Sequence, residues 1–437
     1  MLKRFSVTNF SSFRDEQSFD MTAGTTKVLS NHVVNFEKVK LLKSAVIYGA
    51  NASGKSNLIK SIDFARKVIV RGINNLDTYK KYFRLCSSSS SQNSSFEFEI
   101  EIDGKFYAYG FSALLKDKVI TEEWLYEIGK TSPELIFERK NKKIELGKLL
   151  SLNKNIKNRF EIYLDDMKNQ DKQLFLTEIA SKELTINAVS TLNSIFKWFE
   201  EKLLVVFPET KFNGIKTIDT DITKILKKHL KSFGTGVIGV STINEDFEKN
   251  FKGFPDEFKS DIEKALENSN EIMVRGNGND PQIFSIYKDH DGLLKVKKLG
   301  LIHGGDIEDT FDLKDESDGT RRLIDFIPLI SHFSSDYTIL IDEFDRSLHP
   351  KLTKEFFKLF YNIEQSKTQL IVTSHESTLL DLELLRRDEI WFVDKNIDAS
   401  SSIYSLNKFQ IRYDSKVERA YLLGRYGAIP IINTLES

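Results

Sequence analysis

Cysteine is nearly absent from this sequence: the 437 residues contain only Cys86. A single thiol cannot form an intramolecular disulfide, and no paired cysteines or Cys/His cluster suggests a structural metal site. The sequence also has no run of about eighteen uncharged apolar residues, so it predicts no membrane-spanning helix. We therefore expect a cytoplasmic protein in a reducing compartment, with no membrane partner.

An excess of one charge is also missing. The 63 basic and 64 acidic residues nearly cancel, which removes a bulk electrostatic reason to bind nucleic acid or a membrane surface. A local basic face remains possible, because Lys224–Lys231 is a basic amphipathic stretch. A solvated helix face is its favoured interpretation and nucleic-acid contact the alternative. Direct nucleic-acid binding is possible but not indicated.

The length exceeds what one core usually supports, which predicts more than one domain. Both ends of the sequence alternate strand and helix patterns. Charged helical stretches dominate the middle, with short strand-like runs at 236–240 and 283–286. We predict an N-terminal lobe over 1–144, an inserted helix-rich lid or arm over 145–295, and a C-terminal lobe over 296–437.

Local patterns predict the individual elements. The predicted strands are 5–10, 45–48, 96–102, 105–111, 338–341, 369–373 and 390–393. The predicted helices are 171–181, 189–204, 320–330, 351–361 and one that begins at Ser56.

The segment Gly49-Ala-Asn-Ala-Ser-Gly-Lys-Ser56 has the spacing of a phosphate-binding loop, between a buried strand and an amphipathic helix. Its glycines let the backbone wrap closely round phosphates, and the helix N-terminus supplies N–H donors. Lys55 adds a positive charge near the β and γ oxygens, and the Ser56 hydroxyl can coordinate Mg²⁺. The loop therefore predicts a site for ATP and Mg²⁺.

Two carboxylates, Asp342 and Glu343, follow the apolar run Ile339–Ile341. Alternation along a strand would direct them to opposite sides. Asp342 is then predicted to bind the metal, and Glu343 to orient or deprotonate the attacking water. An isolated Asp-Glu pair is more often an ordinary strand boundary, but beside a phosphate loop it indicates catalysis.

His375 lies just beyond the predicted strand 369–373 and 33 residues after Asp342. One helix is predicted between the two strands, so both strand ends should meet at the same edge of the sheet. A histidine there can donate a hydrogen bond to the γ-phosphate and thereby detect intact ATP.

Together, the phosphate loop, Asp342-Glu343, Arg346–Pro350 and Thr373–His375 resemble the ABC ATPase superfamily, in the soluble branch that includes SMC-type and DNA-repair ATPases. The resemblance implies an α/β fold with an ABC-type P-loop ATPase head, in which helices flank a mixed sheet and an antiparallel β subdomain is added. It also implies ATP hydrolysis, with Glu343 as the catalytic carboxylate and His375 as the switch histidine.

The same resemblance implies a signature segment, normally Leu-Ser-Gly-Gly-Gln, before the acidic strand. Glu316–Arg322 stands at that place; Ser317 and Gly319 match the signature, whereas its first glycine and its glutamine have no counterpart. In the family this segment contacts the γ-phosphate held by a second copy, which implies a homodimer or higher homo-oligomer with shared ATP sites. A plain N-cap and turn at Ser317 is the alternative.

A closer resemblance, over roughly 1–125 and 300–437, is to the RloA/AbiLi-type ATPases of bacterial anti-phage and abortive-infection systems. It is carried by Tyr48–Asn57, Ser317–Arg322, Leu348–Pro350 and Gly424–Pro430. It implies a sensor or regulator ATPase that controls a separate effector, a TOPRIM-type nuclease or another toxin.

Other interpretations remain open. An SMC or DNA-repair-like ATPase acting directly on DNA is weakened by the absence of long heptad arms. A nuclease with its own active site lacks a second acidic cluster. The resemblance also implies a glutamine that links Mg²⁺ to the antiparallel sheet, but Gln92, the only nearby candidate, is better interpreted as a loop residue.

The predicted site residues fall into three groups. The catalytic residues are Glu343, His375 and Lys55, and the metal ligands are Ser56 and Asp342. The residues predicted to bind the nucleotide are Gly49, Asn51, Ala52, Ser53, Gly54, Lys55, Ser56, Asn57, Ser317, Asp318 and Gly319.

Overall fold

The computed structural model describes residues 1–129, 132–140, 143–148, 167, 170–182, 187–208, 220–276, 282–410 and 416–430. Parts of the predicted arm, 151–166 and 209–219, lie outside these residues. The chain forms two compact units. The first unit comprises Met1–Pro208, Phe333–Asp345 and Lys354–Ser437, and the second comprises Glu209–His332 and Arg346–Thr353. The lobe boundaries 1–144, 145–295 and 296–437 stay a prediction.

The strands and helices are numbered in chain order. The strands are β1 (Leu2–Thr8), β2 (Gln17–Asp20), β3 (Val33–Asn35), β4 (Lys40–Leu42), β5 (Ser44–Tyr48), β6 (Ser94–Ile102), β7 (Lys105–Leu114), β8 (Val119–Ile128), β9 (Pro133–Lys140), β10 (Lys143–Leu146), β11 (Leu203–Val206), β12 (Val237–Asp246), β13 (Glu271–Arg275), β14 (Ile283–Lys288), β15 (Leu294–Gly304), β16 (Glu308–Asp312), β17 (Thr338–Ile341), β18 (Gln369–Thr373), β19 (Ile390–Lys395) and β20 (Ser401–Ser405). The helices are α1 (Lys55–Arg71), α2 (Phe175–Ala180), α3 (Asn187–Lys197), α4 (Thr220–Ser232), α5 (Phe247–Asn250), α6 (Asp256–Ala265), α7 (Asp318–Ile330), α8 (Pro350–Tyr361) and α9 (Val417–Leu422).

A six-stranded sheet in the first unit has the order β11-β17-β18-β5-β19-β20. Its first five strands are parallel, and β20 is antiparallel to β19. Every residue of β5, β17 and β18 is buried, as expected for parallel strands covered on both faces. Because the strands are parallel, their carboxyl ends meet at one edge, where open α/β sheets bind ligands.

A seven-stranded antiparallel sheet, ordered β10-β9-β8-β7-β6-β1-β2, belongs to the same unit. The predicted hairpin is confirmed: β6 and β7 are joined by Asp103 and Gly104, both with positive φ, of 52° and 82°. Phenylalanines fill the core beneath the sheet; the Phe98 ring lies 4.7 Å from that of Phe5 and 5.0 Å from that of Phe199. The two sheets together give the mixed α/β architecture predicted for the head.

The second unit contains another antiparallel sheet, β12-β15-β14-β13, with β16 paired to β15. The strand-like runs 236–240 and 283–286 are confirmed as parts of β12 and β14. Phe247, Phe251 and Phe284 are buried in a small core of this unit. No helix within the described ranges is both long and apolar enough to cross a bilayer.

Two predicted helices are shorter than expected. The helix predicted at 171–181 is helical only over α2, and the one predicted at 189–204 ends in a π-helical turn, Trp198–Lys202. Leu203 then begins β11, which pairs with β17 as an edge strand of the parallel sheet.

Candidate nucleotide-binding site

The phosphate loop connects β5, at the centre of the parallel sheet, to α1. Gly54 has φ 117°, and a Cβ there would meet the hydroxyls of Ser401 and Ser12. At Gly49, a Cβ would meet the Val393 carbonyl oxygen. Both positions require glycine, one for its backbone conformation and one for the close approach of β19.

The N-terminus of α1 has no side-chain cap from the residues that the structure describes. Gly54 is its N-cap residue, and the first turn contains no acidic residue. Within the described part of the chain, the buried Ser53 hydroxyl also has no hydrogen-bond partner. Unpaired donors at a helix N-terminus fit an anion such as a phosphate.

Lys55 is buried beside this N-terminus. Its Nζ donates to the carbonyl oxygens of Gly49, at 2.7 Å, and Ala50, at 3.1 Å. Burial lowers the pKa of Lys55 to about 8, although the nearby carboxylates Asp342 and Asp345 oppose that shift. A phosphate would supply the negative charge that this buried ammonium lacks.

Asp342 follows β17 and lies next to the first turn of α1. Its Oδ1 accepts hydrogen bonds from Ser56 Oγ, at 3.1 Å, and from the buried Thr373 Oγ1, at 2.5 Å. In the described part of the chain, no group of three His, Cys, Asp or Glu side chains could hold a metal by itself. The pair of one carboxylate and one hydroxyl nevertheless fits Mg²⁺, which commonly takes its other ligands from phosphates and water.

Glu343 occupies an unusual backbone conformation, with φ 48°. Its N–H donates to Thr373 Oγ1 at 2.8 Å. Strand alternation, the predicted reason for the separation of Asp342 and Glu343, is wrong because β17 ends at Ile341 and the chain turns there. Left-handed backbone is uncommon for glutamate and costs conformational free energy at this position.

His375 follows β18 at the same edge of the sheet. Its backbone N–H donates to the Asp345 carboxylate at 3.1 Å. Although the ring is largely exposed, its pKa is lowered, chiefly by partial removal from water and next by the charge of Lys55. The lowered pKa favours the neutral imidazole, which has one ring N–H available as a donor.

Two residues that organise this edge were not predicted. Thr373 connects Asp342 to the Glu343 backbone, and Asp345 holds the backbone of His375. For Thr373 a signal existed, since it is a polar residue at the carboxyl end of an otherwise apolar strand. Asp345 lies in a loop of no regular pattern, so its partner could be found only from the fold.

The structure brings together the predicted site residues of the first unit. Ala52 has φ 62°, and Asn57 Nδ2 donates to Ser12 Oγ at 2.8 Å. Gln92 is exposed, and its carbonyl oxygen accepts from the Asn9 side chain, as a loop residue would.

Ser317, Asp318 and Gly319 lie in the second unit, at the start of α7. Ser317 is the N-cap residue, and its Oγ accepts from the Thr320 N–H at 3.1 Å. The Arg321 guanidinium pairs with Asp318. This geometry fits an ordinary cap, and the nucleotide contact assigned to these residues stays a prediction.

Comparison with known proteins gives one family and several distant structures. No curated protein matches the chain. An SMC head bound to the C-winged helix domain of ScpA is 13% identical, with 92% of this chain and 97% of that chain covered and a TM-score of 0.42. The SMC head domain from Thermotoga maritima is 12% identical, with coverages of 94% and 99% and a TM-score of 0.39.

The family profile matches residues 44–154 and 218–381, which include the phosphate loop, Asp342 and His375. The chain belongs to this family of P-loop ATPase domains, AAA_21, described as "AAA domain, putative AbiEii toxin, Type IV TA system".

Proposed function

We propose that this chain binds MgATP at the carboxyl edge of the six-stranded sheet and hydrolyses the γ-phosphate. The observation that carries the proposal is the uncapped N-terminus of α1, which begins beside the buried Lys55 ammonium and the Asp342–Ser56 pair. Positive charge, unpaired donors and hard oxygen ligands are what a nucleotide triphosphate with its magnesium requires.

Each residue has a distinct role in this proposal. The loop N–H groups and Lys55 bind the phosphate oxygens. Ser56 and Asp342 would hold Mg²⁺, which would supply positive charge to those oxygens. Glu343 orients the attacking water and accepts its proton. His375, whose lowered pKa favours the neutral ring, donates to the γ-phosphate.

Two variants separate binding from hydrolysis. Lys55→Ala should weaken MgATP binding on the order of a hundredfold, because a charge-assisted contact to phosphate is lost. Glu343→Gln should bind MgATP normally but lower kcat by at least about a hundredfold, because the proton acceptor is removed. Titration of a fluorescent ATP analogue and a phosphate-release assay measure the two quantities.

The control is Glu383→Gln, which removes an exposed carboxylate of the same unit and should change neither quantity. Failure of the parent protein to bind MgATP, or hydrolysis that survives Glu343→Gln at the parent rate, would contradict the proposal.

We further propose that two copies share the ATP sites, with Ser317 of one copy contacting the γ-phosphate held by the other. The serine hydroxyl and helix N-terminus at Ser317 support this assignment chemically. ATP would then favour the paired state, because the γ-phosphate contributes contacts that exist only there.

In cells, we propose that the ATPase regulates a partner effector, a nuclease or another toxin, during phage infection. The family description, which refers to the AbiEii toxin and a Type IV TA system, supports a toxin-related setting. Phage plating on cells that carry the gene with its neighbours measures protection. Protection should be lost in Lys55→Ala. Protection that survives this change would show that regulation of the effector does not require ATP.

Direct action on DNA is the second candidate, favoured by one feature of α4. Lys224, Lys227, Lys228 and Lys231 are exposed at spacings that put them on one helix face. DNA binding by the purified protein that falls steeply with salt, and is lost when these lysines become glutamates, would favour this candidate.

A further inference from the structure

Residues 416–430, the C-terminal segment, pack onto the end of the parallel sheet beside the phosphate loop. The Tyr421 ring stacks on Phe392 of β19 at a centroid distance of 5.5 Å, and the Tyr426 ring stacks on it at 5.8 Å. This segment contains Gly424–Pro430, which carries part of the family resemblance but has no role in the proposed hydrolysis. The contacts of the segment indicate a role for it.

Two hydrogen bonds hold this segment, one to Asp394 near the end of β19 and one to Tyr404 of β20. The Ala428 N–H donates to Asp394 Oδ2 at 3.0 Å, and the Tyr404 hydroxyl donates to the Tyr426 carbonyl at 2.7 Å. Gly427 has φ 69°, and a Cβ there would lie 2.7 Å from Asp394 Oδ2. The sequence around Gly427 is therefore constrained by this docking.

The same strand end contacts the phosphate loop. Val393, which precedes Asp394, presents the carbonyl oxygen that leaves no room for a Cβ at Gly49. Tyr48, which precedes Gly49, lies 5.8 Å from the Tyr421 ring. The C-terminal segment and the phosphate loop thus pack against successive residues of β19, one on Asp394 and the other on Val393.

A second contact reaches the residues after His375. Glu418 of α9 accepts a hydrogen bond from Ser377 Oγ at 2.9 Å, and the Tyr48 hydroxyl donates to the Glu376 carbonyl at 3.3 Å. The C-terminal segment therefore contacts Tyr48, the residue before the phosphate loop, and Ser377, two residues after His375.

We propose that Asp394 and Glu418 are positioning residues, through which the C-terminal segment holds the phosphate loop and the His375 segment in their binding geometry. This inference rests on the proposed function for the identity of the ligand. Gly424–Pro430 would then orient the nucleotide-binding residues without contacting the nucleotide.

The test compares alanine variants with conservative ones in the full chain. Asp394→Ala should weaken binding of a fluorescent ATP analogue about tenfold, as expected when a hydrogen bond to a charged group is lost. Asp394→Asn keeps an acceptor for the Ala428 N–H and should restore affinity to within about threefold of the parent protein. Glu418→Ala should lower kcat more than it changes the affinity, and Glu418→Gln should restore kcat.

Amide hydrogen exchange separates this inference from the proposed function. In nucleotide-free protein, Asp394→Ala should speed exchange at residues 49–56, and this result does not require the parent protein to hydrolyse ATP. The matched control is Ser405→Ala, which removes the Oγ that accepts from the Asn407 N–H at 3.1 Å in the same region. Unchanged exchange at 49–56 in Asp394→Ala, or the same increase in Ser405→Ala, would overturn the inference.

Discussion

Helices α1 and α7 both begin at a segment containing serine and glycine, but their first turns are completed in opposite ways. The N-cap of α1 is Gly54, with φ 117° and no capping side chain. The N-cap of α7 is Ser317, with φ −63° and an Oγ that accepts from the Thr320 N–H. The first helix leaves its donors to a ligand, and the second satisfies one of them itself.

This difference implies that the N-termini of α1 and α7 bind an anion with different affinity, although their sequences are similar. The α1 terminus has its left-handed N-cap residue and its uncapped donors in place before any ligand binds, so binding requires little rearrangement. The α7 terminus already has an internal hydrogen bond and an adjacent carboxylate, Asp318. A phosphate there must use the remaining N–H groups or displace the cap, which makes α7 the weaker site by itself.

Alanine substitutions at Gly54 and Gly319 should show the largest difference between the two helix N-termini. Gly54→Ala forces a residue with Cβ into φ 117° and against two serine hydroxyls, so nucleotide affinity should fall on the order of a hundredfold. Gly319→Ala should leave nucleotide affinity unchanged, because Gly319 belongs to α7 and not to the phosphate loop. Its effect on stability has two opposing parts: alanine gains about 1 kcal/mol of helix propensity, but its Cβ would lie only 2.9 Å from the Ser347 carbonyl oxygen. Nucleotide titration and thermal unfolding measure both variants, and equal losses of affinity would contradict the contrast.

Because of Lys55, nucleotide affinity at the α1 terminus should depend on pH, whereas the α7 terminus has no such lysine in its first turn. Its pKa is about 8 in the free protein, and bound phosphate should raise that pKa. Below pH 8 the ammonium is already charged; above it, binding must take up a proton, so affinity should fall by up to about tenfold per pH unit. Phosphate groups titrate nearer pH 6, so they do not contribute to this change.

Calorimetric titration at pH 7, 8 and 9, in buffers of different ionisation enthalpy, measures both the affinity and the proton uptake. Affinity that stays constant from pH 7 to 9 would argue against a deprotonated Lys55 in the free site.

Ser317 should give the smallest effect on stability. Ser317→Ala removes the cap and should cost about 1 kcal/mol of unfolding free energy, whereas Ser317→Asp retains a capping oxygen and should cost less. Under the proposed sharing of sites, both variants should bind MgATP through α1 but hydrolyse it slowly, because alanine lacks the hydroxyl and aspartate repels the γ-phosphate. Chemical unfolding and phosphate release distinguish the effects, and full hydrolysis by Ser317→Asp would remove this segment from the ATP site.

Much of the parallel sheet could be predicted because its signals are local. The buried runs of β5, β17 and β18 are continuous and apolar, and the phosphate-loop spacing fixes the start of α1 to within one residue of Ser56. Neither property depends on distant parts of the chain. The buried strands of the parallel sheet and the position of the phosphate loop therefore follow directly from the sequence.

Long-range pairing explains what could not be predicted. Leu203 and Leu204 were predicted as the end of a helix, since apolar residues after a helical pattern fit either state. Their strand conformation, within Leu203–Val206, depends on pairing with Thr338–Ile341. The role of Thr373 likewise depends on two residues of a neighbouring strand end. The contact of Asp394 with Ala428 joins segments with no shared pattern.

The left-handed backbone at Glu343 has a consequence for design and for natural variation. Glycine or asparagine would relax this turn, so a sequence selected only for thermal resistance should drift away from glutamate there. Keeping glutamate costs stability and retains a carboxylate at the sheet edge. Under the role proposed for Glu343, a natural variant with glycine at 343 would have lost hydrolysis and gained stability.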